Sequence, residues 1–199
     1  MAGKKSGTSK RDLIIAGALA LFKTKGFDGT SMRELAGTVG MDAASMYYYI
    51  RSKDEILEEV CFRIANRYIA HLDEIDTMPG SGTAKVRALI SMHVRLVLED
   101  ATAVSVANHE WRCLSHEKLS AYKTLRQEYE TRFAAIVNQA IQHGEFRAVN
   151  TEVALYTLLS SLRWLEAWYK PGRSIGPEEL ERDVITLLMQ GLEPAAASN

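Results

Sequence analysis

The chain of 199 residues is 47% hydrophobic and 25% charged, a composition suited to one large core or to a small domain beside a larger one. No run approaches the roughly 18 apolar residues of a membrane span, and residues 1–10 lack the apolar segment of a secretory signal, so a cytoplasmic protein without membrane attachment is expected. The net charge of −1 hides an asymmetry: residues 1–53 carry nine Lys/Arg against four Asp/Glu, and the remainder fifteen against twenty-one. Because charges are screened over about 8 Å at physiological salt, a basic head on an acidic body suits a protein that offers one end to phosphate.

Residues 1–8 are polar and rich in Gly, Ser and Lys, and Lys4 and Lys5 read equally as a solvated tail and as phosphate contacts. A helix is expected over 9–25, with Leu13, Gly17, Ala20 and Leu21 on one stripe and Ile14, Ala18 and Phe22 beside it, ending at Gly26-Phe27. Residues 31–50 then read as two short helices joined by a tight turn, the helix-turn-helix unit. The first has Ser31 as N-cap with Glu34 at the reciprocal capping-box spacing, and it buries Met32, Leu35, Ala36 and Val39. It stops at Gly40, which tolerates a left-handed backbone. The second runs over 43–50, capped by Asp42, with Met46, Tyr47 and Ile50 inward.

The outward face of that second helix points to DNA. Ala43, Ala44 and Ser45 are small enough for close approach to base edges, while Tyr48, Tyr49 and Lys53 supply hydroxyls and an ammonium for phosphates. Three successive tyrosines point about 100° apart on a helix, so they cannot all pack against one neighbour.

These residues also carry a resemblance. The pattern of 13–22 with Gly26-Phe27, Thr30-Ser31, Glu34-Leu35-Ala36, Val39-Gly40, Met46-Tyr47-Tyr48-Tyr49-Ile50 and Ser52-Lys53 resembles the DNA-binding domain of TetR/AcrR-type regulators. The resemblance implies phosphate contacts from Thr30, Ser31, Tyr47, Tyr49 and Lys53, with base reading around Ala43, Ala44, Ser45 and Tyr48. Alanine stands where the family often has a basic residue, and Tyr49 where it often has histidine, which shifts base readout toward apolar contact with thymine methyls.

Ser52 with Glu55 forms a second capping-box pattern and starts a long helix over 54–76, the natural connecting rod from head to body. Pro79-Gly80-Ser81-Gly82 breaks it. Five further helices are expected, over 83–99, 103–113, 116–143 (ended by Gly144), 151–169 (capped by Asn150) and 177–191 with Pro177 in its first turn. No stretch alternates as a strand does, so the expected fold is all-α with about nine helices. It divides into a helix-turn-helix DNA-binding domain over 9–69 and a helical ligand-binding and dimerisation domain over 70–192.

The last two helices are apolar on more than one face, so part of that surface is expected to meet a second copy; the resemblance likewise implies a homodimer through these helices. The tryptophans Trp111, Trp164 and Trp168 each have a cation nearby in sequence: Arg112, Arg163 and Lys170. Aromatic walls with basic groups describe a pocket for an elongated anionic ligand, although large aromatics in a bundle are more often core. The segments 109–114 and 168–172 loosely resemble those of family members that answer to acyl-CoA thioesters. That resemblance implies Arg112, Arg126, Arg163 or Lys170 at the phosphates and Met92, Trp111, Tyr122, Trp164 and Trp168 along the acyl group. The resulting expectation is a repressor released from operator DNA by a small-molecule effector.

Two other readings stand beside it: a helical ligand-binding protein without a DNA function, and an activator. Enzymatic activity is not expected, because no nucleophile–base constellation, phosphate-cradling glycine loop or metal spacing is present. Cys61 and Cys113 read as buried reduced thiols, and neither a metal nor another cofactor is expected.

Overall fold

The computed structural model describes residues 9–194, so the expected contacts of Lys4 and Lys5 lie outside the described residues. Within these, eight α-helices and one 3-10 turn account for the regular structure: α1 Lys10–Lys25, α2 Met32–Thr38, α3 Ala43–Tyr47, α4 Lys53–Thr77, α5 Gly82–His109, α6 His116–Gln142, α7 Thr151–Trp168 and α8 Pro177–Gln190. The 3-10 turn, Trp111–Cys113, joins α5 to α6.

Helix α1 begins with a complete capping box. Ser9 Oγ accepts the Asp12 N–H and the Asp12 carboxylate accepts the Ser9 N–H, each at 3.1 Å. Its buried surface is a broad arc through Ile14, Ile15, Ala18, Leu19 and Phe22, while Leu13 and Ala20 of the expected inner stripe are exposed. The arc is wide because α1 packs against three helices, α2, α4 and α5. Gly17 permits the close approach to α2, since a Cβ there would lie 2.6 Å from Val39 Cγ1.

Helix α4 is continuous from the head into the body, so the expected division at 69/70 falls inside it. Polar attachments along its length hold it. Arg11 pairs with Glu55 and Glu59 near its start, Lys118 meets Glu58 at 2.6 Å, and Arg132 meets both Asp73 and Asp76 at 2.7 Å near its end. After a break of only four residues, α5 starts at Gly82, whose N–H with that of Thr83 is accepted by Glu145 from beyond α6. Those bonds hold the Glu145 carboxyl below its usual range.

The break expected between the helices over 83–99 and 103–113 is present inside α5, whose second arm ends at His109, before the 3-10 turn. Asp100 leaves helical geometry (φ −154°, ψ 74°), and its Oδ1 accepts the Ala103 N–H at 2.9 Å, recapping the chain as it resumes. Asn150 caps α7 as expected, accepting N–H groups from Glu152 and Val153. No helix among the described residues is long and apolar enough to cross a membrane.

Candidate nucleic-acid interface and effector cleft

The turn between α2 and α3 follows the expected chemistry, with one difference. Ser31 Oγ accepts the Glu34 N–H at 3.2 Å, but Glu34 pairs with Lys25 and does not return the bond, so the capping box is half formed. Gly40 sits at φ +68°, where a side chain would be strained. Asp42 Oδ1 then accepts the Ser45 N–H at 2.8 Å and starts α3. This helix is shorter than the expected 43–50, because the amides of Tyr48 and Tyr49 bond three residues back, to Ser45 and Met46, and tighten the last turn.

Met46 and Ile50 are fully buried, whereas Tyr47, expected inward, is half exposed, since Met46 already fills the core position one residue earlier. Ala43, Ala44 and Ser45 are all exposed, and Tyr48 is 86% exposed. Tyr49 is partly covered; its ring meets Tyr48 edge-on at 5.2 Å and lies 5.9 Å from Lys10 Nζ. Arg33 and Arg51 are exposed on the same head.

Thr30 and Lys53 are placed differently from the expectation that both face phosphate. Thr30 is 3% exposed, and its hydroxyl donates to the Gly26 carbonyl at 2.9 Å. Lys53 Nζ donates to the carbonyls of Phe27 (2.8 Å) and Thr30 (3.0 Å) and lies 4.2 Å from the Phe27 ring centroid. Two of its three donors therefore serve the protein's own backbone.

In the body, a narrow cleft of about 40 Å³ opens between α4, α5, α6 and α7, lined by Ala65, Tyr68, His93, Asn108, Tyr122, Leu125, Arg126, Tyr129 and Arg163. Its inner end is polar but buried. His93 Nε2 meets the Tyr129 hydroxyl at 2.7 Å, with the Tyr68 ring 4.6 Å from the imidazole. Burial pushes the His93 pKa down to about 3, which keeps the ring neutral, and raises that of the Tyr129 phenol. Its outer end is basic: Arg163 pairs with Glu130 at 2.8 Å and Arg126 lies 3.9 Å from the same carboxylate. Two guanidinium groups against one carboxylate leave a positive charge there.

Of the residues expected to hold a ligand, Tyr122, Arg126 and Arg163 line the cleft. Trp111 stands beside it, stacked between the guanidinium groups of Arg112 (4.5 Å) and Arg126 (4.8 Å); Arg112 itself is exposed. Met92 lines a different groove with Arg67 and Arg95. Trp164 and Trp168 point away from the cleft altogether, 60% and 46% exposed. The periodicity of α7 explains it: Arg163 faces inward, and the next residue is turned about 100° from it. Sequence reasoning missed Tyr68, His93, Asn108 and Tyr129. A signal was present, since Tyr122, Arg126 and Tyr129 share one face of α6, and His93 falls on the apolar stripe of Leu89, Ile90, Val94 and Val97.

Helices α7 and α8 divide their apolar residues between two faces. Leu155, Leu158, Leu159, Leu162 and Leu165 enter the core, while Val153, Tyr156, Trp164 and Trp168 lie exposed along the other side, with Leu187 of α8 at 71%. An exposed apolar band of this kind marks a protein contact surface.

A short-helix reading head, a helical body with a cleft and an uncovered apolar face together define a helix-turn-helix DNA-binding regulator. The chain belongs to the TetR family: residues 14–60 match the model of bacterial regulatory proteins of the tetR family, and residues 79–192, more than half the chain, match the tetracyclin repressor-like C-terminal domain. It is 22% identical to the HTH-type transcriptional repressor KstR2 of Rhodococcus jostii (strain RHA1) over 191 residues, 94% of this chain and 92% of that one. The structure of the ketosteroid transcriptional regulator KstR2 of Mycobacterium tuberculosis superposes with a TM-score of 0.86 at 19% identity, covering 94% of this chain and 96% of that one. A crystal structure of AibR in complex with isovaleryl coenzyme A and operator DNA gives a TM-score of 0.75 at 22% identity, covering 90% and 97%.

Proposed function

We propose that the protein is a cytoplasmic homodimeric repressor that binds an operator through α3 and leaves it when an acyl-CoA thioester enters the cleft. The observation that carries this reading is the two-sidedness of α3 and its last turn: Met46 and Ile50 fully buried behind, Ala43, Ala44, Ser45 and Tyr48 uncovered in front. A surface of alanines and one projecting tyrosine has no packing role, and it matches the depth and the thymine methyls of a major groove. Ser31, Tyr47 and Tyr49 flank it as phosphate contacts, while Thr30 and Lys53 act from behind by fixing the turn that carries α2. The apolar band on α7 and α8 pairs two copies, which sets two heads against half-sites about 34–36 Å apart.

The cleft's chemistry supports a thioester of coenzyme A. Arg126 and Arg163 at the outer end suit phosphate or another anion, and the aromatic walls suit the acyl group. At the inner end His93 and Tyr129 satisfy each other, so an acyl tip would meet the rings of Tyr68 and Tyr129. The named function of KstR2 and the isovaleryl coenzyme A bound by AibR are consistent with this reading.

The test is fluorescence anisotropy with DNA from the gene's own upstream region, titrated with a panel of acyl-CoA thioesters at fixed salt. Saturable binding that at least one thioester weakens some 5–150-fold is expected. Absence of specific binding would remove the DNA half of the reading. Binding that no thioester weakens, together with a different molecule recovered by mass spectrometry from the denatured protein, would remove the effector half.

A further inference from the structure

We infer that Glu110 is the positioning residue through which the cleft sets the orientation of the DNA-binding head, acting on the Phe27 turn and not through α4 alone. The inference rests on the ligand-responsive reading above.

Glu110 closes α5 and belongs to the body, yet its Oε2 accepts the backbone N–H of Phe27, in the head, at 2.9 Å. The bond spans 83 positions of sequence and joins the two functional parts directly. On the body side, the residue after Glu110 is Trp111, whose ring lies 4.8 Å from the Arg126 guanidinium and 5.8 Å from the Tyr122 ring. Both of those residues line the cleft. A ligand that displaces Arg126 therefore displaces the stacked indole and the carboxylate beside it.

On the head side, Phe27 is a junction. Its N–H goes to Glu110, and its carbonyl takes the ammonium of Lys53, the first residue of α4. The same ammonium holds the Thr30 carbonyl, and the Thr30 hydroxyl returns to Gly26. The turn from Gly26 to Thr30 is thus cross-braced, and Ser31, the cap of α2, follows it immediately. A pull on the Phe27 amide is passed to α2 and α4 as a unit, because no single bond in the brace can give without breaking another.

A second polar tether crosses the same boundary: Lys23 of α1 meets Glu166 of α7 at 3.5 Å, where Glu166 also meets His109 Nε2 at 2.9 Å. It ends on Glu166 of α7 and not on the Trp111–Arg126 stack, so it serves as a control for that route.

The experiment is a double-mutant cycle that needs no effector. Arg126→Ala perturbs the cleft end, in the wild-type, Glu110→Ala, Glu110→Gln and Lys23→Met backgrounds. Operator affinity is read by anisotropy, and amide hydrogen exchange of residues 26–53 by mass spectrometry. Arg126→Ala is expected to change operator Kd at least about fivefold and to alter exchange in 26–53 in the wild-type background. In Glu110→Ala both responses should fall within twofold of no change. Glu110→Gln keeps an acceptor oxygen and should restore them, and Lys23→Met should leave them intact. Should Glu110→Ala not fold, Glu110→Asp withdraws the acceptor by one methylene and takes its place.

An Arg126→Ala response that persists undiminished without the Glu110 acceptor would overturn the inference, as would the lack of any response in the wild-type background. Failure of the wild type to bind its upstream DNA would instead sink the repressor reading, and the exchange data alone would then decide the role of Glu110.

Discussion

The ammonium of Lys53 lies 2.8 Å from the carbonyl oxygen of Phe27, so the first residue of the longest helix in the head is bonded to the turn that ends α1. Lys53→Met keeps the stem over the Phe27 ring and removes both charge-assisted bonds. Stability should fall by about 1–3 kcal/mol, a drop of several degrees in Tm for a chain of this size. Circular dichroism melts check it. An unchanged Tm with weakened operator binding would mean that Lys53 serves phosphate alone.

Tyr48 is the most exposed large apolar residue of the head. Tyr48→Ala should leave stability within about 0.5 kcal/mol while weakening specific operator binding by about 1–3 kcal/mol. Chemical denaturation and anisotropy measured side by side separate the two effects. Equal losses in both would show that the ring packs against the protein.

Leu187 is 71% exposed and stands on the apolar band of α8. Leu187→Asp puts a charge on that band without touching the core, so the variant should sediment as a monomer with an unchanged helical spectrum. It should also lose at least tenfold in operator affinity, since one head alone cannot span two half-sites. A dimer of wild-type mass in analytical ultracentrifugation would place the interface elsewhere.

Acid should destabilise the fold earlier than carboxylates alone would dictate. The neutral His93 ring has a folded pKa of about 3 against 6.5 for the ordinary side chain, so below pH 6.5 the unfolded chain binds a proton that the folded chain does not. This contribution is absent above pH 6.5, and stability is lost progressively as pH falls from 6.5 toward 3. The carboxyl of Glu145 is held below its usual range, so it adds its own loss only nearer pH 4.5. Urea unfolding between pH 7 and 5 should therefore show a slope of about one proton, which His93→Gln flattens. An identical slope in that variant would exclude His93 as its source.

Much of this architecture is written locally. The caps Ser31, Asp42, Ser52 and Asn150, the breaks at Gly40 and Pro79, and the Asp100 interruption of α5 all follow from the hydrogen-bonding habits of residues within four positions of one another. The exposed face of α3 was legible for the same reason, since a buried Met46 and Ile50 fix what the rest of a short helix must show.

Proximity across the chain was not legible. Trp164 and Arg163 are neighbours in sequence but only Arg163 reaches the cleft, and the cleft takes Tyr68, His93 and Tyr129 from three different helices. Lys53 carries the same charge in any fold, yet only the arrival of Phe27 and Thr30 beside it turns the ammonium into a brace. Periodicity fixes which face of a helix is apolar, because that depends on 3.6 residues per turn; it carries no information on which distant side chain will meet that face. That is settled by how eight helices pack, and with it the composition of the cleft and the path from Arg126 to Phe27.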